Sequence, residues 1–257
     1  MAEYLIQGES LTAIADAIRE YAPELTQMTP AEMAENIEKV YENGKAEVWD
    51  AIQNNGNRAI YEFAFREWNN EYFRPKHKVK PTGASGLDYI FYKSSKLKKI
   101  EGEYFNLSSF PASSVTKTGM FVECTALEHF EDIGLQAPAK YDVTFYNNQK
   151  LHTIDVLRFS KSTTISSGTF YNCKELVNLT VEGTIDQNGL NLQYSTKLSK
   201  ASITSVINAL STAQSTEGTT KKSITLSQQA VDSAFSDVRE WTSLVGSKIS
   251  HWTINLV

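Results

Sequence analysis

Residues 170–179 read FYNCKELVNL, and the same skeleton recurs upstream as FYNNQKLHTI (145–154), FVECTALEHF (121–130) and FYKSSKLKKI (91–100). In each copy a phenylalanine is followed six residues later by leucine. Three residues further on stands an aliphatic or aromatic residue: Ile100, Phe130, Ile154 or Leu179. The copies start 30, 24 and 25 residues apart, and a degenerate copy, LQYSTKL (192–198), starts 22 residues after the last. Periods in the twenties around a Leu-x-x-Leu core mark a leucine-rich repeat. So few apolar residues per unit cannot make a core alone, so the phenylalanine and the leucine pair must stack on the same positions of neighbouring units. Ser/Thr-rich connections such as SKSTTISSGT (160–169) favour strands and turns over helices.

The flanks break the period. After Ser10, a candidate N-cap, Leu11, Ile14, Ala15 and Ile18 mark one helical face. Thr29 and Glu32 frame a capping box with Pro30 at the first helical position, and Met33, Ile37 and Val40 continue a second stripe. Residues 46–73 carry Trp49, Tyr61, Phe63, Phe65, Trp68, Tyr72 and Phe73, and Pro75, Pro81 and PTGASG then place a boundary near residue 80. At the other end Ile203, Val206, Ile207 and Leu210 form a helical stripe, SITL (223–226) reads as a strand, and Val231, Ala234, Phe235 and Val238 form another stripe. Trp252, Ile254 and Leu256 alternate like a strand.

The expected class is therefore α+β, in four parts. These are a helical attachment region (1–45), an aromatic linker domain (46–80), a short leucine-rich repeat solenoid (81–198) and a C-terminal αβ cap (199–257) that covers the last apolar rung.

Composition narrows the function classes. A net charge of -5 over 257 residues argues against nucleic acid as the main partner, although RPKHKVK (74–80) is locally basic. The first twenty residues lack the basic and apolar regions of a secretory signal, and no run of apolar residues is long enough to span a membrane. Synthesis in a cytoplasm without a signal peptide, and no membrane insertion, are the expectations. Two cysteines give no disulfide framework.

The units F-x-x-C-x-x-L-x-x-[FL] resemble the BspA-like leucine-rich repeats of bacterial and phage proteins. YLIQGESLTAIADAIRE with TPAEMAENI is similar to the opening of tail-associated structural proteins in phages and prophages of Gram-positive bacteria. VWDAIQNNGNRAIYEFAFREWNNEYFRPKH is similar to the segment that precedes the repeats in such proteins. The resemblance implies a virion tail protein that presents a receptor-binding solenoid to a host-surface glycan or protein. It also implies contact with other tail proteins through the N-terminal region, and a homo-oligomer, with a trimer favoured. The alternative is an intracellular bacterial protein–protein interaction module with no virion role.

Strand alternation says where such a surface lies. Residues two and four places after the rung leucine should face outward: Lys99 and Glu101, His129 and Glu131, Thr153 and Asp155, Asn178 and Thr180. Tyr92, Tyr146 and Tyr171 recur one place after the rung phenylalanine and form a second candidate row.

Catalytic signals are missing from the sequence. His77, His129, His152 and His251 show no metal-ligand spacing, and no nucleophile elbow or phosphate loop is present, so no enzyme activity, cofactor or metal is expected. The slot three places after the phenylalanine holds Ser94, Cys124, Asn148 and Cys173. Such interchange fits a buried turn position whose small side chain bonds backbone, not a nucleophile.

Overall fold

The structure is a computed structural model that describes residues 65–74, 87–108, 110, 116–212 and 221–257. The two N-terminal helices expected within 1–45 lie outside the described residues. Among the described residues the fold is mixed α/β, with few helices and with every strand pair parallel. One sheet joins β1 (Lys99–Ile100), β3 (His129–Phe130), β5 (Thr153–Phe159) and β7 (Asn178–Gly183) in that order. A second joins β2 (Thr116–Thr118), β4 (Lys140–Asp142) and β6 (Thr164–Ile165). Each repeat thus contributes one short strand to the first sheet, and three connections contribute one to the second.

Between the sheets runs a column of phenylalanines. The Phe91–Phe121, Phe121–Phe145 and Phe145–Phe170 centroids lie 5.5, 5.8 and 5.7 Å apart, with ring planes within 14° of parallel. Offset stacking of this kind adds about 0.5–1.5 kcal/mol per pair beyond the burial of the rings. Leu97, Leu127, Leu151 and Leu176 are fully buried beside the column.

The column continues one step further than the repeat pattern. Phe65 stacks on Phe91 at 5.4 Å, its N–H donates to Ile90 O, and Tyr72 bridges Lys99 in parallel. Phe65–Arg74 is therefore a further rung, and its Trp68 and Phe73 join the same core. From Phe65 to Phe73 is 8 residues where the other units take 9, and with Tyr72 opposite Lys99 it is Asn70 that stands where they hold leucine. Both departures hide this rung from an alignment on Phe and Leu.

Each rung turns by the same device. Glu67, Lys93, Glu123, Asn147 and Asn172, two places after the phenylalanine, all have φ between 57° and 62°. This left-handed conformation costs a non-glycine residue about 1–2 kcal/mol, least for asparagine. It aims the amide at the next rung: Lys93 donates to Val122 O, Glu123 to Tyr146 O and Asn147 to Tyr171 O, at 2.8–2.9 Å.

Beyond the repeats, β8 (Asn191–Leu192), β9 (Lys222–Leu226) and β10 (Trp252–Leu256) form a third parallel sheet in the order β10-β9-β8. Helix α1 (Lys200–Ala209) is capped by Ser199 and lies along β7. Its Ser202 hydroxyl accepts from Leu179 N–H and donates to Val177 O, while Ser205 Oγ accepts from Val181 N–H. Serines at this spacing close the edge of the repeat sheet with side chains where a strand would otherwise add. The second C-terminal stripe is not one helix. It divides into α2 (Gln228–Ala234) and α3 (Val238–Val245), because Phe235 leaves the helical region and Asp237 caps a new start, which leaves Val238 73% exposed.

Phe170→Ala and Leu176→Ala remove side chains that are at most 1% exposed, and each is expected to cost about 3–5 kcal/mol in denaturant unfolding. Ser202→Ala leaves the buried Leu179 N–H unpaired, and the expected loss there is about 1–3 kcal/mol by the same measurement.

Candidate interaction surfaces

The register of the first sheet sets Lys99, His129, Thr153 and Asn178 in one row across the rungs. Glu101, Glu131, Asp155 and Thr180 follow two residues on as the second row, and alternation turns both rows outward. All eight side chains are half-buried or exposed. The structure thus brings the eight together on one face, where all but Thr180 bond to one another or to Arg74.

The pairing runs diagonally from one rung to the next. Lys99 Nζ meets Glu131 Oε1 at 2.6 Å, and His129 Nε2 meets Asp155 Oδ1 at 2.7 Å. Glu101 is held by both guanidinium nitrogens of Arg74 at 2.6 and 2.9 Å. Arg74 holds the Glu101 carboxyl below its ordinary range, and Glu131 raises the Lys99 ammonium. Asn178 Nδ2 donates to Thr153 Oγ1 at 3.3 Å, and Thr180 is exposed. Further along the strands Arg158 clamps Asp132 at 2.7 Å and reaches Glu182 at 3.0 Å, which pulls the Asp132 carboxyl down. Each such surface pair contributes only about 0.2–1 kcal/mol to stability. A ligand on this face must compete with pairs already made.

The tyrosine row lies at the turns. Tyr146 and Tyr171 stack at 4.9 Å with planes 12° apart, and Tyr194 meets Tyr171 edge-on at 4.8 Å. Tyr171 is 39% exposed, and Asn172 Nδ2 donates to Asn147 Oδ1 beside it at 2.6 Å. Tyr92 stands apart because Val122, 7% exposed, occupies the intervening place; it packs against Tyr89 under the Arg66 guanidinium. The chain therefore presents a run of Tyr146, Tyr171 and Tyr194, uncharged and polar at its hydroxyls. Tyr194 escapes the sequence pattern because it stands two places after Leu192, not one.

The slot inside each corner works as a backbone tie. Ser94 Oγ donates to Phe65 O, Cys124 Sγ to Phe91 O and Cys173 Sγ to Phe145 O, so each side chain reaches the phenylalanine carbonyl one rung back. Asn148 does not follow: its amide is fully buried and neither polar atom has a partner. Burial pushes the Cys173 thiol up to about 12 and raises Cys124 as well. Both thiols are free and inaccessible. Among the described residues no three His, Cys, Asp or Glu side chains gather around a common point, and no helix is long and apolar enough to cross a membrane. A partly open pocket between Phe121, Phe145 and Arg158 measures ≈ 10 Å³, room for no more than a water molecule.

Stacked parallel rungs, a column of aromatic rings and polar outer faces define a repeat protein. The BspA-type leucine-rich repeat region, described in six copies, matches residues 88–215 and 140–248, and the chain belongs to that family. No curated protein and no solved structure matches. Repeats of this type suggest a protein–protein interaction module.

Native protein at pH 8 is expected to leave both cysteines unmodified by a thiol reagent over a time in which the denatured chain reacts fully. Rapid modification of Cys173 in the folded chain would contradict its place inside the corner.

Proposed function

We propose that the chain is a non-enzymatic phage tail structural and adhesion protein. In this reading it displays its repeats as a solenoid and binds a host-surface glycan or protein through them. It is made in the bacterial cytoplasm and is carried in the tail of the virion, attached to other tail proteins through its N-terminal region as a homo-oligomer. The likeness of YLIQGESLTAIADAIRE and of the 48–77 segment to tail-associated proteins supports the virion role.

The observation that carries the binding role is the row of Tyr146, Tyr171 and Tyr194. Their rings lie 4.8–4.9 Å apart along the stack, next to bonded asparagines and without ion pairs of their own. Tyrosine offers contact area at low entropic cost together with a hydroxyl, which suits sugar and protein partners alike. The sheet face is the weaker surface, since its charges already neutralise one another.

The test is binding of the full chain to Gram-positive cells and to purified cell-wall glycans, with mass spectrometry of purified particles beside it. The protein is expected in the particles, and Tyr146→Ala with Tyr171→Ala is expected to weaken binding about tenfold or more. Lys99→Ala is expected to change it little. Absence from particles, with capture of a bacterial cytoplasmic protein instead, would favour an intracellular module.

A further inference from the structure

β7 and β10 are edge strands of their sheets, and the chain treats these two edges differently. The β7 edge is closed by the hydroxyls of Ser202 and Ser205. The outer edge of β10 is paired with nothing among the described residues. Lys222 N–H donates to His251 O and Val257 N–H to Leu226 O, so the parallel register turns Thr253, Asn255 and Val257 toward β9. Alternation then points the backbone groups of Trp252, Ile254 and Leu256 outward. Of these the Trp252 N–H is held by Lys248 O at 2.9 Å.

Edge strands of soluble proteins are commonly guarded by lysine, proline or a bulge. β10, WTINL, has no charge and no proline, and it keeps its register with β9 over all five residues without a bulge. We propose that β10 pairs with β10 of a second copy of this chain, antiparallel, about a two-fold axis at Ile254. Ile254 then exchanges both backbone bonds with its mate, and the Leu256 N–H donates to the carbonyl of Trp252 in the partner subunit. A strand on a two-fold axis faces its own sequence, and charges of one sign at symmetric positions would repel. β10 carries none, so self-pairing brings no like-charge cost. Thr253 and Asn255, both exposed, become opposite neighbours in the closely spaced, non-hydrogen-bonded pair.

The register makes the test specific. An edge of this size lies at the low end of specific interfaces, so the full-length chain is followed by light scattering from about 1 to 100 μM. The wild type is expected to reach an even multiple of the chain mass. Thr253→Lys with Asn255→Lys sets lysine opposite lysine and is expected to halve that mass. Thr253→Lys with Asn255→Glu sets lysine opposite glutamate and is expected to restore it. Hydrogen exchange at the Ile254 and Leu256 amides of the wild type should slow as concentration rises, a readout that needs no variant. A wild type that stays monomeric, a double-lysine chain of unchanged mass, or exchange at Ile254 independent of concentration overturns the pairing.

Discussion

Each rung from Phe91 to Phe170 must place its phenylalanine ring over that of the previous rung, and the rest of the structure follows from that requirement. Rings separated by 5.4–5.8 Å along the column from Phe65 to Phe170 fix the distance and the register between units together. Once the rings stack, the left-handed residue two places on can donate to the next turn, and the small slot residue can reach back to the previous phenylalanine carbonyl. At Glu67, Lys93, Glu123 and Asn147 the local cost of a positive φ is met by amide bonds that exist only between correctly stacked rungs. Local strain and long-range order are thus coupled at the same corner.

The polar slot shows how narrow that coupling is. Serine and cysteine are short enough to turn a single donor onto the carbonyl behind them. Asparagine at 148 brings a larger amide into the same fully buried place and finds no partner there. The bonded asparagines, Asn147 and Asn172, stand instead at the left-handed turn, where their side chains meet at the surface. Position along the rung, more than residue type, decides whether an amide is satisfied.

Much of this was legible in the sequence because the column is periodic. Phe91, Phe121, Phe145 and Phe170 and their leucines predicted the core, and period-two alternation predicted which residues of the rung face outward. The rung at Phe65 is not legible, since it is one residue short and has no leucine, and its ring stack on Phe91, its backbone bonds to Ile90 and Tyr92 and the Tyr72–Lys99 bridge identify it. The ion pairs of the outer face were equally hidden. Lys99 lies closer to Glu131, at 2.6 Å, than to Glu101 of its own rung, at 3.9 Å, because the tighter contact runs diagonally between rungs, and that depends on register rather than on spacing within a unit. The break between α2 and α3 was missed for a local reason: Asp237 starts a helix where the apolar stripe alone reads as continuous.

Stacking of rungs along one axis also sets how the molecule answers a pull. Tension along the column loads the interfaces in series, so the weakest yields first while its neighbours keep their bonds. One released unit of 24 or 25 residues frees roughly 80–90 Å of extended chain, far more than the few ångströms it spans when stacked. The phenylalanine column therefore makes the repeat region a stepwise extensible element, stiff until one interface gives and intact on either side of it afterwards.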